Sequence, residues 1–318
     1  MNLRTFAVVM AVVVGILTAI QARMNGGLAA IVHNGFEAAV VSFGSGFIIL
    51  CIIALLAPKV RRGIAAIPQA VKSGELKWWH TIGGFLGGTF VAIQSTTVPV
   101  LGVAVFTVAV VAGQSANSLV VDRIGLGPAG RQTISGARVT AALLAVVAVT
   151  IAVSNRFGSA SFSIAAIIAA FAAGLIIAVQ QAINGRVGRA SANPLSAAWL
   201  NFFFGVTGLV IGLLVASAFT DMDPAALPSG PIWLYLGGAV GVVFIATAAW
   251  AVQVVGVLLF ALASIMGQLI GALVLDLVLP TAGTSVGWQL FIGVVLTGIA
   301  VSVAALAPRW SRSARIGV

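Results

Sequence analysis

Charge is what this chain has least of. Only 7% of its 318 residues are charged, against about 25% in an average soluble domain. There are six carboxylates in all and a single cysteine, Cys51, which leaves no disulfide framework and no thiolate metal site. Two histidines, His33 and His80, and the scattered carboxylates supply neither a metal cluster nor a nucleophile beside a base. No enzyme chemistry, no cofactor and no metal is therefore expected. What is present instead is hydrophobic surface, 61% of the residues, far too much for a protein that folds in water. An integral membrane protein is the class that remains. The formal charge of +10 would in a soluble chain suggest nucleic acid, so its distribution has to be examined before that partner is dismissed.

Apolar runs separated by polar or proline-bearing breaks predict spans at 5–32, 35–57, 79–97, 100–121, 136–154, 164–186, 195–219, 232–252, 255–277 and 286–307. All ten prolines fall at or outside these ends, where a helical backbone can stop. With the N-terminus in the cytoplasm, fourteen cations lie in inside segments, including Lys59, Arg61, Arg62, Lys72 and Lys77, and only Arg23 and Arg156 lie outside. The bias predicts that both termini are cytoplasmic, and it uses the positive charge for orientation. No nucleic-acid partner is expected.

The chain also repeats itself. At an offset of 159, Gly15, Gln21, Asn25, Gly26, Asn34, Phe43 and Gly46 fall on Gly174, Gln180, Asn184, Gly185, Asn193, Phe202 and Gly205. At an offset of 154, residues 83–122 match 237–276 at sixteen of forty positions, among them Gly113 and Gln114 on Gly267 and Gln268, and Asp122 on Asp276. The first apolar run is thus copied at 164–185, which excludes a cleaved signal peptide. Each copy holds five spans, an odd number, so the second must enter the membrane from the opposite side. The expected organisation is a first five-helix repeat over 1–157 and an inverted second repeat over 158–318. Inverted repeats typify secondary transporters, whose substrate binds near the midplane between the halves.

Few polar residues interrupt the spans, and those are the site candidates. Gln21 and Asn25 are four apart on one helix face, and Gln180 and Asn184 repeat them. They either line a cavity or join helices by amide hydrogen bonds. Gln94 closes the third span and Trp250 the eighth; Gln114 and Asn117 lie on the fourth, and Gln268 on the ninth. Three carboxylates are candidates for a proton or gate role. Asp276 is embedded in an apolar run, Asp122 precedes Arg123 at a helix end, and Glu37 starts the second span, where an ion pair with nearby Arg23 and His33 is the simpler expectation.

The Gln-x-x-x-Asn-Gly element in the first helix of each half (Gln21 to Gly26, Gln180 to Gly185) and Gly-Gln-x7-Asp in the fourth (Gly113 to Asp122, Gly267 to Asp276) resemble the drug/metabolite transporter (DMT) superfamily, specifically its YdcZ-like branch in a fused two-repeat form. The resemblance covers essentially the whole chain. It implies an all-α integral membrane protein of the bacterial cytoplasmic (inner) membrane, ten transmembrane helices in a DMT/EamA-like fold, with a central cavity lined from helices one, three and four of each repeat. Small multidrug-resistance relatives carry a membrane glutamate in the first helix, where this chain has Gln21 and Gln180. A neutral amide neither releases a proton nor attracts a cation strongly.

The function expected is that of a secondary active transporter or facilitator moving a small polar metabolite by alternating access between the two repeats. The alternatives are a lipid-headgroup flippase and a multidrug or cation exporter of the same fold. Partners are the substrate, membrane lipid and protons as a candidate coupling ion, with the protein a monomer or homodimer.

Overall fold

The computed structural model describes residues 2–128, 130–131, 134–154, 163–219, 230–255, 257–280 and 286–306. Among them there is no strand. The helices run α1 (Leu3–Val32), α2 (Gly35–Leu56), α3 (Pro58–Lys72), α4 (Trp78–Thr81), α5 (Gly84–Leu101), α6 (Val103–Ile124), α7 (Gly136–Val153), α8 (Ile164–Ala190), α9 (Pro194–Phe219), α10 (Gly237–Val255), α11 (Val257–Val278) and α12 (Trp288–Leu306), with a 3-10 turn at Ile232–Leu236 before α10. Six stretches are long and apolar enough to cross a membrane: Leu3–Val32, Gly35–Leu56, Trp78–Leu101, Val103–Ile124, Ile164–Ala190 and Pro194–Ala218. Four shorter apolar stretches, Val139–Val153, Ile232–Phe244, Ala263–Val278 and Trp288–Val303, follow the remaining runs of the sequence.

Two boundaries differ from the sequence pattern. Segment 58–72, expected as a connection, is the amphipathic helix α3: Val60, Gly63, Ile67 and Ala70 recur at helical spacing and are buried, while Lys59, Arg61 and Arg62 are exposed. Pro68 lies inside it, and Pro99 lies inside α5, so these two prolines do not mark helix ends. Pro99 sits in the last turn of α5, where it can offer no amide to the Ser95 carbonyl one turn back; the chain breaks three residues later, at Gly102. There φ 78 and ψ 165 describe a conformation that only glycine adopts readily.

Positions related by the sequence repeat make matching contacts. Asn34 caps α2 by accepting from the Phe36 and Glu37 amides at 2.9 and 3.3 Å; Asn193 caps α9 by accepting from Leu195 and Ser196 at 2.9 and 3.3 Å. The residue before each, His33 and Ala192, is left-handed, with φ 54 and 49. Helix α1 packs on α11 as α6 packs on α8, and α2 packs on α9 directly. In that last seam Phe43 stacks on its repeat mate Phe202, with ring centroids 4.7 Å apart.

The tightest seams are backbone against backbone. A Cβ on Gly15 would come within 1.9 Å of the Ser264 carbonyl, and one on Gly267 within 2.1 Å of Val12 O. The equivalent seam repeats this: a Cβ on Gly174 would reach 2.1 Å from Val110 O, and one on Gly113 would reach 2.0 Å from Phe171 O. Only glycine lets helices approach so closely in lipid. Residues Val103–Gly113 of α6 are consequently buried without interruption, at the centre of the largest core cluster.

Gly113→Val is expected to destabilise the protein by about 3 kcal/mol, the upper end of overpacking costs, whereas Gly136→Ala, at a position with nothing within 4 Å, should change stability by less than about 0.5 kcal/mol. Thermal unfolding of the two variants in detergent checks the difference.

Candidate functional site

Three buried amides meet where α1, α2, α5 and α10 converge. Gln21 Nε2 donates to the Gly237 carbonyl at 2.9 Å, and Asn25 Nδ2 donates to Gln94 Oε1 at 2.9 Å. Gln21, Asn25 and Gln94 are 8%, 0% and 1% exposed, so these bonds replace water for groups with little other access to it. The replacement is incomplete: Asn25 Oδ1 and Ser42 Oγ are both buried without a hydrogen-bond partner. Both border one glycine, since a Cβ on Gly237 would lie 2.5 Å from Asn25 Oδ1 and 3.2 Å from Ser42 Oγ. Ser95 Oγ, next to Gln94 on α5, is a third orphaned atom. A bare lone pair and two bare hydroxyls in an apolar bundle are costly, and the first two crowd against the same glycine, Gly237.

The second copy of the motif forms a related cluster. Gln180 Nε2 donates to Asn201 Oδ1 at 2.9 Å, and Asn184 Nδ2 reaches the same oxygen at 3.4 Å. Asn201 stands where the repeat places Ser42, and the sequence pattern did not mark either residue. A Cβ on Gly87 would lie 2.3 Å from Gln180 Nε2, as one on Gly241 would lie 2.7 Å from Gln21 Nε2. Helix α5 touches both clusters, the second through Gly87 and the first through Gln94, about 10 Å apart along its axis at 1.5 Å per residue.

The other candidates separate from these clusters. Gln114 Nε2 donates to Gln181 Oε1 at 2.9 Å and Asn117 Nδ2 donates to the Leu175 carbonyl at 2.6 Å, both tying α6 to α8 at a partly exposed seam. Gln268 is half-buried on α11, its backbone amide against Gly15. The Trp250 side chain lies outside the described residues.

Each of the three candidate carboxylates has a local structural setting. Asp276, 2% exposed, accepts from the Val103 and Ala104 amides at 3.0 and 2.8 Å, and so caps α6 from α11. A helix that starts inside a bilayer leaves unsatisfied N–H groups and a positive dipole end; a buried carboxylate meets both needs. Gly102 leaves room for it, because a Cβ there would lie 2.8 Å from Asp276 Oδ2. Asp122 is half-buried near the end of α6, where its carbonyl accepts from the Gly125 amide at 3.2 Å. Glu37 occupies the first turn of α2 and accepts from Asn34 Nδ2 at 3.4 Å. On the neighbouring helix end, Arg23 Nε is buried with no hydrogen-bond partner.

Apolar helices bonded through buried amides are the build of a polytopic membrane protein. The family model described as "Putative inner membrane exporter, YdcZ" matches residues 6–151 and 165–303. The chain belongs to that family, a branch of the drug/metabolite transporter superfamily. Among solved proteins, one crystal structure resembles it with a TM-score of 0.54 at 19% identity, covering 95% of this chain and 96% of that one, a likeness of fold. No curated protein matches.

Asp276→Ala is expected to lower stability by about 2 kcal/mol, with Asp276→Asn, which keeps an acceptor oxygen, losing roughly half as much. Thermal melts that rank the two variants equally would remove the cap from the account.

Proposed function

We propose that the protein is a secondary transporter for a small polar metabolite, neutral or zwitterionic, and that the substrate is held at the cluster of Gln21, Asn25, Ser42 and Gln94. The observation that carries this reading is the pair of orphaned atoms, Asn25 Oδ1 and Ser42 Oγ, facing the same glycine. A substrate N–H or O–H completes Asn25, and a substrate acceptor takes the Ser42 hydroxyl. Gln180, Asn184 and Asn201 form the corresponding station in the other half, and α5, which touches both, links them.

In this proposal the ten apolar stretches all span, as two inverted repeats over 1–157 and 158–318, and rocking of one repeat against the other moves the site from one membrane face to the other. The recurrence of caps, glycine seams and the Phe43–Phe202 stack at equivalent positions supports it. Asp276 serves as a clamp on α6 and not as a proton carrier. Asp122, its repeat mate, does the same for the start of α11, Val257 being the mate of Val103. Both termini face the cytoplasm.

Ser42→Ala separates transport from folding. Because the hydroxyl has no protein partner, its loss should change stability by less than about 0.5 kcal/mol while reducing transport of the responding compound in proteoliposomes about fivefold to tenfold, the worth of one buried hydrogen bond. Unchanged transport would remove Ser42 from the site. For orientation, Ser73→Cys should react with a membrane-impermeant maleimide only from the cytoplasmic side; labelling of intact cells would reverse the proposed topology.

A further inference from the structure

At the end of the bundle where α3 leads into α5, a cleft of about 320 Å³ opens between the loop before α4, the end of α6 and the end of α8. It plays no part in the amide clusters. Its polar lining is Glu75, Lys77, His80 and Arg186, with Ile124 and Trp79 as apolar walls.

What this lining offers is donors. The carbonyls of Gly125 and Leu126 would be acceptors here, but both are taken by Arg186: Nη2 donates to Gly125 O at 2.7 Å and Nε donates to Leu126 O. Those two bonds fix the guanidinium plane and leave Nη1 free to donate. His80 is 3% exposed, and its Nδ1 accepts from the Lys77 amide at 3.2 Å. A neutral imidazole whose Nδ1 accepts must carry its proton on Nε2, so the remaining ring nitrogen is a donor. Lys77 adds an exposed ammonium, and Glu75 is the one carboxylate in the lining. With His80 neutral the lining still carries a net positive charge, Lys77 and Arg186 against Glu75, and donors beside net positive charge suit an oxyanion better than a neutral group.

The surroundings say which anion. Ile124 both lines the cleft and is 56% exposed, and Val120, one turn earlier on the same helix, is 55% exposed. An apolar track thus leaves the cleft along the outer flank of α6. Trp78, 67% exposed, begins the apolar stretch Trp78–Leu101, a position typical of a membrane-interface anchor. The preceding helix α3 exposes Lys59, Arg61 and Arg62 in its first turn, outside the cleft, so they add to the positive charge of this end of the chain without lining the site. Basic pockets of this kind between transmembrane helices suit lipid head groups. We infer that the cleft between α4, α6 and α8 binds the phosphate of an anionic phospholipid, with Lys77, His80 and Arg186 around the phosphate and an acyl chain along Ile124 and Val120.

The test uses the purified protein in detergent and its melting temperature as short-chain phosphatidylglycerol, short-chain phosphatidylcholine or inorganic phosphate is added. Phosphatidylglycerol should raise the melting temperature at lower concentration than phosphatidylcholine. Lys77→Gln, which alters an exposed side chain, should raise the half-maximal phosphatidylglycerol concentration about fivefold, the effect of one cation near a lipid surface. Lys59→Gln, an equal change of charge outside the cleft, should have a clearly smaller effect. Glu75→Gln removes the opposing charge and should lower the half-maximal concentration, a gain that misfolding cannot imitate. Equal shifts from the two lipids, or Lys77→Gln and Lys59→Gln behaving alike, would overturn the site; a full shift from inorganic phosphate alone would overturn its assignment to lipid.

Discussion

Helices that meet inside a bilayer gain little from excluding lipid, so close packing has to hold them together. In this protein that packing is backbone on backbone, at Gly15 with Gly267 and at Gly113 with Gly174. These seams bring α1 against α11 and α6 against α8, and glycines do the same between α2 and α10 at Gly238 and between α5 and α9 at Gly84. Once α1 is fixed, Gln21 and Asn25 point at α5 and α10; once α8 is fixed, Gln180 and Asn184 point at Asn201 and the glycines of α5. The polar clusters are therefore products of glycine placement as much as of the amides themselves.

The same low-dielectric setting explains why Asp276 is where it is. A helix starting at Val103, deep in apolar surroundings, needs a partner for its first amides, and no water is at hand to supply one. Asp276 provides two acceptors from another helix. The contrast with Asn25 and Ser42 is instructive. One polar group buried in the bundle is satisfied by its own protein, and two are left incomplete beside a glycine. Satisfied groups hold the fold; incomplete ones are where a ligand gains most by arriving.

Much of the fold was readable from residues alone, and physical reasons separate what was from what was not. Helix positions followed from runs of apolar residues, whereas Asn34 and Asn193 stood out in the sequence only as repeat mates, and their role as caps of α2 and α9 came with the structure. The repeat singled out Gln21 and Gln180 because identical residues stood at equivalent places. Ser42 and Asn201 escaped for the opposite reason: they are repeat mates of different type, and the pattern rewards only sameness. The cap made by Asp276 joins residues 173 positions apart, a pairing that no local periodicity encodes. Helix α3 was missed although its signal was present, in the spacing of Val60, Gly63, Ile67 and Ala70 between cations. Pro99 misled because a proline in the last turn of a helix does not have to end it.

The most direct measurement is a structure of the protein with a transported compound bound. The account expects a ligand donor within hydrogen-bonding distance of Asn25 Oδ1 and a ligand acceptor at Ser42 Oγ, with Gly237 against the ligand's face. A compound bound elsewhere in the bundle, with those two atoms still unpartnered, would contradict it.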